Sequence, residues 1–505
     1  MREKDKVSTG RRVHAGLPPV LALAAALAIL NGCSHAEKVF RETIVPPEPG
    51  SYARTLPAPP RTETKTALEL LPDNWQELAQ RLSLADIVNI GLANNTVTRR
   101  TWLAARAAAA QVGINRAAYF PTVDVDGNLA HTKQSAIGGR FSFSQDVYGA
   151  AGTLNLLLFD FGGRDARFDE AWAGLLAADY AHNAAIQDVI LNLEEGYYSY
   201  LGTKAQLSAA EANVREAEVN LEAARRRHEV GVVTVADVLK ARTALSEAQL
   251  VQQILSGQIE ALRGELATAM GIPASTPFDV GILPMEVAAE EITQEVEPLI
   301  EQALSSRPDL GEARWQAEQA LARLKSAKAE GWPSISARSS AGRTYYFPGA
   351  FEKHDNNWSA SLLLNFRLFT GFAHSHEVKK AQAEAEASQT QATHVEQQVV
   401  LDVWTSYADL KTAAQRVKTT RDLLASAEES ERVALAQYKQ GVGSILDLLT
   451  AQASLASARA QEILARSDWL LAMASLARAT GALAPPLEQE DATRTTTRGS
   501  GEERR

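Results

Sequence analysis

The chain has 505 residues, a net charge of −10 and one cysteine, Cys33. The acidic balance argues against nucleic acid as a partner, and a single cysteine excludes a disulfide framework and a cysteine-based metal site. This length is enough for two or three domains. Aromatic residues make up 6%, whereas Ala, Glu, Gln, Leu and Arg dominate 164–270 and 373–480, a composition typical of long helices packed side by side.

The N-terminus has the pattern of a bacterial export signal. Five basic residues precede the apolar run 21–30, and LNGC follows at 30–33. This motif is similar to a lipobox, in which the cysteine is acylated and becomes the mature N-terminus. We therefore predict a signal peptide over 1–32 and a lipid on Cys33, with a plain signal peptide or membrane anchor as the alternative. Ser34 after the cysteine favours the outer membrane.

Three segments are rich in proline or in polar residues. Residues 33–82 contain seven prolines and are predicted to form an extended tether. Residues 271–297 are predicted to link two halves of the chain, and 485–505 to be a disordered tail. No other stretch is apolar over the roughly eighteen residues that a transmembrane helix needs, so any membrane crossing must use strands.

One stretch of sequence occurs twice. RHEVGVVTVADVLKAR recurs as QYKQGVGSILDLLTAQ, and the two begin at Arg227 and Gln437, which are 210 positions apart (437 − 227). Each contains a glycine inside a helical pattern and an aspartate six residues after it. The duplication predicts two structural repeats, 83–270 and 298–484.

Each repeat contains two segments in which apolar and polar residues alternate, the period of a β-strand. The alternation is clear in PTVDVDGNLA at 121–130 and in WSASLLLNFRLF at 358–369. We predict strands at about 121–131, 149–160, 333–343 and 357–369. Strands that are apolar on one side and polar on the other suit a water-filled transmembrane barrel, with a soluble sandwich as the alternative. Four strands cannot close such a barrel, so several chains would have to contribute.

Two long proline-free segments, 164–229 and 373–438, place Ala, Leu and Val at three- and four-residue spacings. They predict helices on the order of 100 Å long. Gly231 and Gly441 follow these segments, where a glycine accepts a positive φ and ends a helix. This predicts helical hairpin tips at the end farthest from the strands. A conventional long coiled coil is the alternative.

With these features in this order, the chain resembles the TolC-like outer-membrane efflux protein family, in its NodT-type lipoprotein branch, over about 83–484. The resemblance implies a mixed α and β fold, in which long antiparallel helices form an α-helical barrel and four strands per chain join a trimeric 12-stranded transmembrane β-barrel. It also implies a homotrimer in contact with outer-membrane lipid. A periplasmic adaptor protein and an inner-membrane transporter, of the resistance-nodulation-division or ATP-driven type, are the other implied partners.

The resemblance also assigns roles to the tips. Val230, Gly231 and Val232 in the first tip, and Gly441 and Val442 in the second, match the short hydrophobic-glycine motif on which the adaptor docks.

A periplasmic gate is the second implied role. Asp237 and Tyr438 match positions that bond to each other and keep the periplasmic entrance closed, and Asp447 matches an acidic residue that rings it. Helix N-terminal capping alone is the alternative for both aspartates. Gly443 and Thr450 stand where the family has an arginine of the closing network and a second ring of aspartates. These departures predict a closed state with fewer bonds and a weaker preference for cations.

The sequence contains no catalytic motif: no P-loop, no HExxH and no G-x-S-x-G is present. His374 and His376 could bind a metal, but we predict no metal site, no cofactor and no enzyme activity. The predicted function is a passive exit channel of a tripartite efflux system, lipid-anchored in the outer membrane and extending into the periplasm. A duct for type I secretion of proteins or peptides and a periplasmic coiled-coil scaffold lipoprotein are the alternatives.

Overall fold

The computed structural model describes residues 71, 74–136, 140–284, 295–347 and 353–484. All of them belong to one unit, Thr66–Arg505. In chain order the elements are α1 Trp75–Leu78, α2 Leu84–Asn94, α3 Thr96–Arg116, β1 Thr122–Ala136, β2 Phe141–Phe159, α4 Gly163–Glu229, α5 Val235–Ala269, α6 Val296–Ser306, α7 Pro308–Ala329, β3 Ser334–Phe347, β4 Lys353–Asn365, α8 Ala373–Gln440 and α9 Ile445–Ala479.

The two halves repeat one succession of elements: a short helix, a medium helix, two strands, a very long helix and a long helix. The very long helices α4 and α8 have 67 and 68 residues, which corresponds to about 100 Å each. The helices predicted over 164–229 and 373–438 are confirmed to within two residues at each end. The fold is mixed α and β and mostly helical.

Glycines with positive φ mark the ends of the long helices. Gly162 precedes α4 with φ 85°, Gly231 follows it with φ 79°, and Gly441 follows α8 with φ 76°. Because an L side chain is strained in this region of backbone conformation, these positions favour glycine. Among the helices that the structure describes, none combines the length and the apolar composition needed to cross a membrane.

The four strands form one antiparallel sheet in the order β1-β2-β3-β4. The register places most of the large apolar side chains of the four strands on one face, whereas Val147, Leu157 and Leu363 lie on the other. The apolar face carries Val123, Val125, Leu129, Tyr148, Leu154, Leu156, Ile335, Tyr345, Trp358, Leu362 and Leu364. Val125 is 78% exposed and Trp358 is 81% exposed, so the apolar face is not covered by the described part of the chain.

The opposite face of the sheet is mainly polar. It carries Thr122, Asp124, Asp126, Asn128, Thr153, Asn155, Arg338, Ser340, Thr344, Ser359 and Ser361. The hydroxyl oxygens of Ser340 and Ser359 lie 2.9 Å apart, and Asn155 Nδ2 donates to Asp124 Oδ2 at 3.4 Å. The sheet therefore separates a mainly apolar face from a mainly polar one, as the alternation in the sequence predicts.

The strand boundaries differ from those predicted. β1 continues to Ala136 and β2 begins at Phe141, so the segments predicted at 121–131 and 149–160 are too short. The outer end of β1, beyond Leu129, is polar on both faces, which hides the period of two there. β4 ends at Asn365, although the prediction extended to 369. Asn365 pairs with Ser334, the first residue of β3, and the preceding residue is a proline that cannot donate a hydrogen bond to continue the pairing.

The predicted tether and linker are more ordered at their ends than expected. Within 33–82, residues 75–78 are helical and Leu82 is fully buried in a bridge with Val280. Lys204 Nζ on α4 donates to both carboxylate oxygens of Asp279 at 2.7 Å, which ties the described start of the linker 271–297 to the long helix. α6 begins at Val296, before the predicted end of the linker. It includes Pro298, because a proline is tolerated in the first turn of a helix. Residues 1–70 and 485–505, which include the predicted signal peptide and tail, lie outside the described residues.

The long helices lie in the order α5-α4-α9-α8, with α4 and α9 in the middle. α5 and α8 form the two sides of this layer, and both carry exposed apolar residues. These residues are Leu239, Leu250, Val251 and Ile254 on α5, and Leu401, Trp404, Leu423 and Val433 on α8. Both sides of the helical layer therefore present surface that water does not favour.

Candidate functional site at the helical tips

The two predicted tips are the turns between α4 and α5 and between α8 and α9. Val230 is 73% exposed, Val232 is 65% exposed and Val442 is 76% exposed. Gly231 and Gly441 allow the chain to reverse direction, and neither has an atom within 4 Å of the position that a Cβ would take. The turns therefore present isolated apolar side chains to solvent. The docking role predicted for these five residues stays a prediction.

Gly443 is the first departure from the family pattern, and the packing of the second tip explains it. A Cβ on this residue would lie 2.9 Å from Gln437 Cβ and 3.2 Å from the Tyr438 backbone nitrogen. No side chain, and so no arginine, fits there without movement of the turn.

Asp237 and Asp447 cap the helices that follow the tips. Asp237 Oδ2 accepts from the backbone N–H and the hydroxyl of Thr234 at 3.2 and 3.0 Å. Asp447 Oδ2 accepts from Ser444 Oγ at 2.7 Å, and Ser444 Oγ accepts from the Asp447 N–H at 3.1 Å. The hydrogen bonds from Thr234 and Ser444 side chains, followed by those from their backbones, lower the pKa of both aspartates. Both residues are therefore charged at neutral pH.

Tyr438 has no hydrogen bond to Asp237 among the described residues of this chain, and the bond implied by the resemblance stays a prediction. Asp237 is engaged by its own cap and lies 3.6 Å from Lys240 Nζ. Tyr438 is 8% exposed in a cluster with Ala241 and Leu448, and its hydroxyl has no hydrogen-bond partner among the described residues. A buried hydroxyl without a partner costs stability.

Tyr438 is held instead by Arg227, a residue that the sequence analysis did not single out. The guanidinium carbon lies 4.5 Å from the centroid of the tyrosine ring, and Arg227 Nη1 donates to the Tyr438 carbonyl oxygen at 3.2 Å. Arg227 lies in the last turn of α4 and Tyr438 in the last turn of α8. This contact, which we call the tip latch, joins the two helical hairpins.

The tip latch was hard to find from the sequence. Arg227 belongs to the run Arg225-Arg226-Arg227 at the end of α4, where basic residues are favoured by the helix dipole alone. The duplication gives no further indication, because its counterpart is Gln437 (227 + 210).

A second polar contact joins the hairpins farther from the tips. Gln452 on α9 donates to Glu216 on α4 at 2.7 Å and accepts from Asn220 at 2.9 Å. Burial, and then the negative charge of Glu431 on α8, raises the pKa of Glu216. Arg459 on α9 acts in the opposite direction. Burial and the neighbouring carboxylate of Glu431 therefore both favour the protonated form of Glu216.

The chemistry of the site is that of packing and charge. Within the described ranges, no group of three or more His, Cys, Asp or Glu side chains is arranged to hold a metal ion. His374, at the start of α8, packs against Gly331, where a Cβ on the glycine would collide with the imidazole ring. Cys33 lies outside the described residues.

Comparison with known proteins agrees with this architecture. The chain is 29% identical over 409 residues to Protein CyaE of Bordetella pertussis, covering 80% of this chain and 84% of that protein. It is 26% identical over 481 residues to the probable efflux pump outer membrane protein TtgC of Pseudomonas putida, covering 92% and 95%. The crystal structure of the outer membrane protein VceC of Vibrio cholerae shares the fold, with a TM-score of 0.71, 18% identity and coverage of 81% and 98%.

The family described as "Outer membrane efflux protein" matches 88–272 and 299–482. Each matched segment covers most of one repeat, including its two strands and its helical hairpin. The chain therefore belongs to the outer membrane efflux protein family.

Proposed function

We propose that this chain is the passive outer-membrane exit channel of a tripartite efflux system, with no catalytic role for its own residues. The observation that carries the proposal is the sheet, whose exposed apolar face suits lipid and whose opposite polar face suits a water-filled lumen. Family membership and the resemblance to an efflux pump outer membrane protein support the same function.

The working unit that we propose is a homotrimer. In the described residues, β1 and β4 each have one edge that no strand of the same chain pairs with. Unpaired strand edges are costly in lipid, because their backbone groups have no water to bond to. Pairing β1 of one chain with β4 of the next would close a barrel, and three copies supply twelve strands (3 × 4).

The helical layer supports the same kind of assembly. α5 and α8 carry exposed apolar residues on the two sides of the layer. Packing α5 of one chain against α8 of the next buries these residues and closes a helical barrel of twelve long helices (3 × 4). The β-barrel and the helical barrel would thus be closed by contacts between the same neighbouring chains.

The partners belong to the same proposal. The exposed Val230, Val232 and Val442 suit docking of a periplasmic adaptor, which would connect the channel to an inner-membrane transporter. Asp447 would place one carboxylate per chain at the entrance and favour cations. We also propose that Cys33 carries a lipid that anchors the chain in the outer membrane.

The test is single-channel conductance of the full-length protein in planar bilayers, with the oligomeric state measured on the same sample. We expect a heat-sensitive trimer and small, cation-preferring openings. Asp447→Asn should reduce the cation preference. Asp86→Asn is the matched control, because Asp86 caps α2 in the same way, with Oδ2 accepting from Ser83 Oγ at 2.6 Å. A folded, lipid-modified protein that conducts nothing would overturn the proposal in favour of a scaffold lipoprotein.

A further inference from the structure

Arg343 is the first charged side chain on the apolar sheet face, counted outward from the helices. The register places Arg343 of β3 on this face, in a row with Gly127, Ala150 and Asn356. On the side of this row toward the helices, the described residues of the face are uncharged. Arg343 is exposed. A cation on a surface meant for lipid is costly unless it reaches a polar region or an anionic partner.

The neighbours of Arg343 fix its position without neutralising its charge. Its Nε donates to Asn356 Oδ1 at 2.8 Å. Neither of its terminal nitrogens has a hydrogen-bond partner among the residues that the structure describes. Gly127 and Ala150, the other neighbours in this row, have little or no side chain and leave space beside the guanidinium. In the next row outward, the rings of Tyr148 and Tyr345 stack with centroids 5.0 Å apart. The guanidinium therefore lies at an open polar position on the sheet surface, next to an aromatic pair.

The depth of Arg343 can be worked out from the strand. β3 advances eleven residues from Ser334 to Tyr345 (345 − 334), or roughly 37 Å at ~3.4 Å per residue. At a tilt of about 45° this corresponds to ~26 Å across the membrane, close to the apolar band of ~25 Å in outer-membrane barrels. At the helix end of this span, Phe161 and Trp332 stack with centroids 5.3 Å apart.

Aromatic pairs therefore mark both ends of the apolar band, as at membrane interfaces. Arg343 is two residues inside Tyr345, which is ~5 Å in depth on the same scale. Arg343 therefore lies just inside the edge of the apolar band, and a long arginine side chain at this depth extends to the headgroups of the outer leaflet. A guanidinium fits a phosphate better than an ammonium does, because its planar fork donates two parallel hydrogen bonds.

We propose that Arg343, positioned by Asn356 below the stacked Tyr148 and Tyr345, binds the phosphate of an anionic lipid in the outer leaflet. The inference rests on the proposed function, since it requires this face of the sheet to meet lipid. A lipid is the occupant because the site lies in an otherwise apolar surface, which the acyl chains cover while the phosphate reaches the guanidinium.

The test is native mass spectrometry of the full-length trimer in detergent, titrated with lipid A and, separately, with its dephosphorylated form. We expect phosphate-dependent binding that Arg343→Gln weakens roughly 10-fold or more and that Arg343→Lys restores in part. Arg338→Gln is the matched control, because Arg338 lies on the same strand but on the polar face, opposite Asn155 and Ser361. Its binding should equal that of the wild type.

Two results would overturn the proposal. Equal lipid binding by the wild type and Arg343→Gln would remove the arginine from the site, and full competition by inorganic phosphate would replace the lipid with a free anion. Conductance measured on the same preparations separates this outcome from failure of the channel itself. Channels that conduct normally while Arg343→Gln binds lipid A like the wild type would refute the lipid site alone.

Discussion

The tip latch predicts that Arg227, and not the tyrosine hydroxyl, holds the two hairpins together. In Arg227→Gln, the hydrogen bond to the Tyr438 carbonyl oxygen and the contact with its ring are both lost. A hydrogen bond from a charged group contributes about 1.5 kcal/mol or more, and a cation–π contact about 0.5 kcal/mol at exposed sites. Arg227 is partly exposed, so we take these lower values and expect about 2 kcal/mol per chain. This changes the ratio of closed to open tips roughly 30-fold.

Tyr438→Phe should have little effect by the same reasoning. The substitution removes a buried hydroxyl that has no partner among the described residues and leaves the ring against Arg227. Losing an unpaired polar group from an apolar site is neutral or stabilising. The two variants therefore separate contact with the ring from a bond through the hydroxyl.

The assay is single-channel conductance in planar bilayers, scored as open probability and conductance at one salt concentration. Arg226→Gln is the matched control, because Arg226 neighbours Arg227 but contacts Glu222 on its own helix at 3.0 Å. We expect larger or longer openings in Arg227→Gln and wild-type behaviour in the control. Openings in Tyr438→Phe as large as those in Arg227→Gln would refute the latch and restore a hydroxyl bond as the closing contact.

Three further predictions concern pH and glycine positions. Burial raises the pKa of Glu216, so the stabilising contribution of this residue is complete below the ordinary pKa of a glutamate and is lost as pH rises through the raised pKa. Glu216→Gln should therefore match the wild-type Tm in acid and exceed it at neutral pH. The control is Glu218→Gln at an exposed position, which should not show this pH-dependent difference in Tm. Hydrogen bonds from Ser444 lower the pKa of Asp447, so the contribution of Asp447 to stability is present above the ordinary pKa of an aspartate and is lost as pH falls through the lowered pKa. The Tm of Asp447→Asn should therefore fall less than the wild-type Tm between about pH 5 and pH 3. Gly271→Ala should lower the Tm more than Gly231→Ala. Both positions have a positive φ, at which a side chain costs about 1–2 kcal/mol, but only at Gly271 would the new Cβ lie 2.8 Å from a backbone oxygen. Equal losses of Tm would contradict this.

The elements with a long period were predictable from the sequence. α4 and α8 lack proline and keep helical spacing over more than sixty residues, and a glycine ends each one. The strands were predictable where lipid-type and lumen-type residues alternate, but not where both faces are polar, as in the outer part of β1 beyond Leu129. The start of α6 was missed because a proline in its sequence suggests a linker, although a proline is compatible with a first helical turn.

The site was less predictable, because its contacts depend on pairs of residues 211 to 236 positions apart. The capping roles of Asp237 and Asp447 follow from local sequence, since each lies three residues after a threonine or a serine. No local pattern shows that Gln452 will reach Glu216, which is 236 positions away, or that Arg227 will reach Tyr438. These contacts require knowledge of how one hairpin lies against the other.

The duplication explains why the tip latch joins different residues. In the first hairpin, the position equivalent to Tyr438 is His228 (438 − 210), whose Nδ1 lies 3.0 Å from the Val233 carbonyl oxygen of its own turn. In the second, the position equivalent to Arg227 is Gln437, whose Cβ lies against Gly443. Each hairpin thus uses one member of the pair for its own turn and offers the other to its neighbour. The tip latch therefore joins non-equivalent positions of the two repeats, and the equivalent pair on the other side, His228 and Gln437, contains neither the arginine nor the tyrosine.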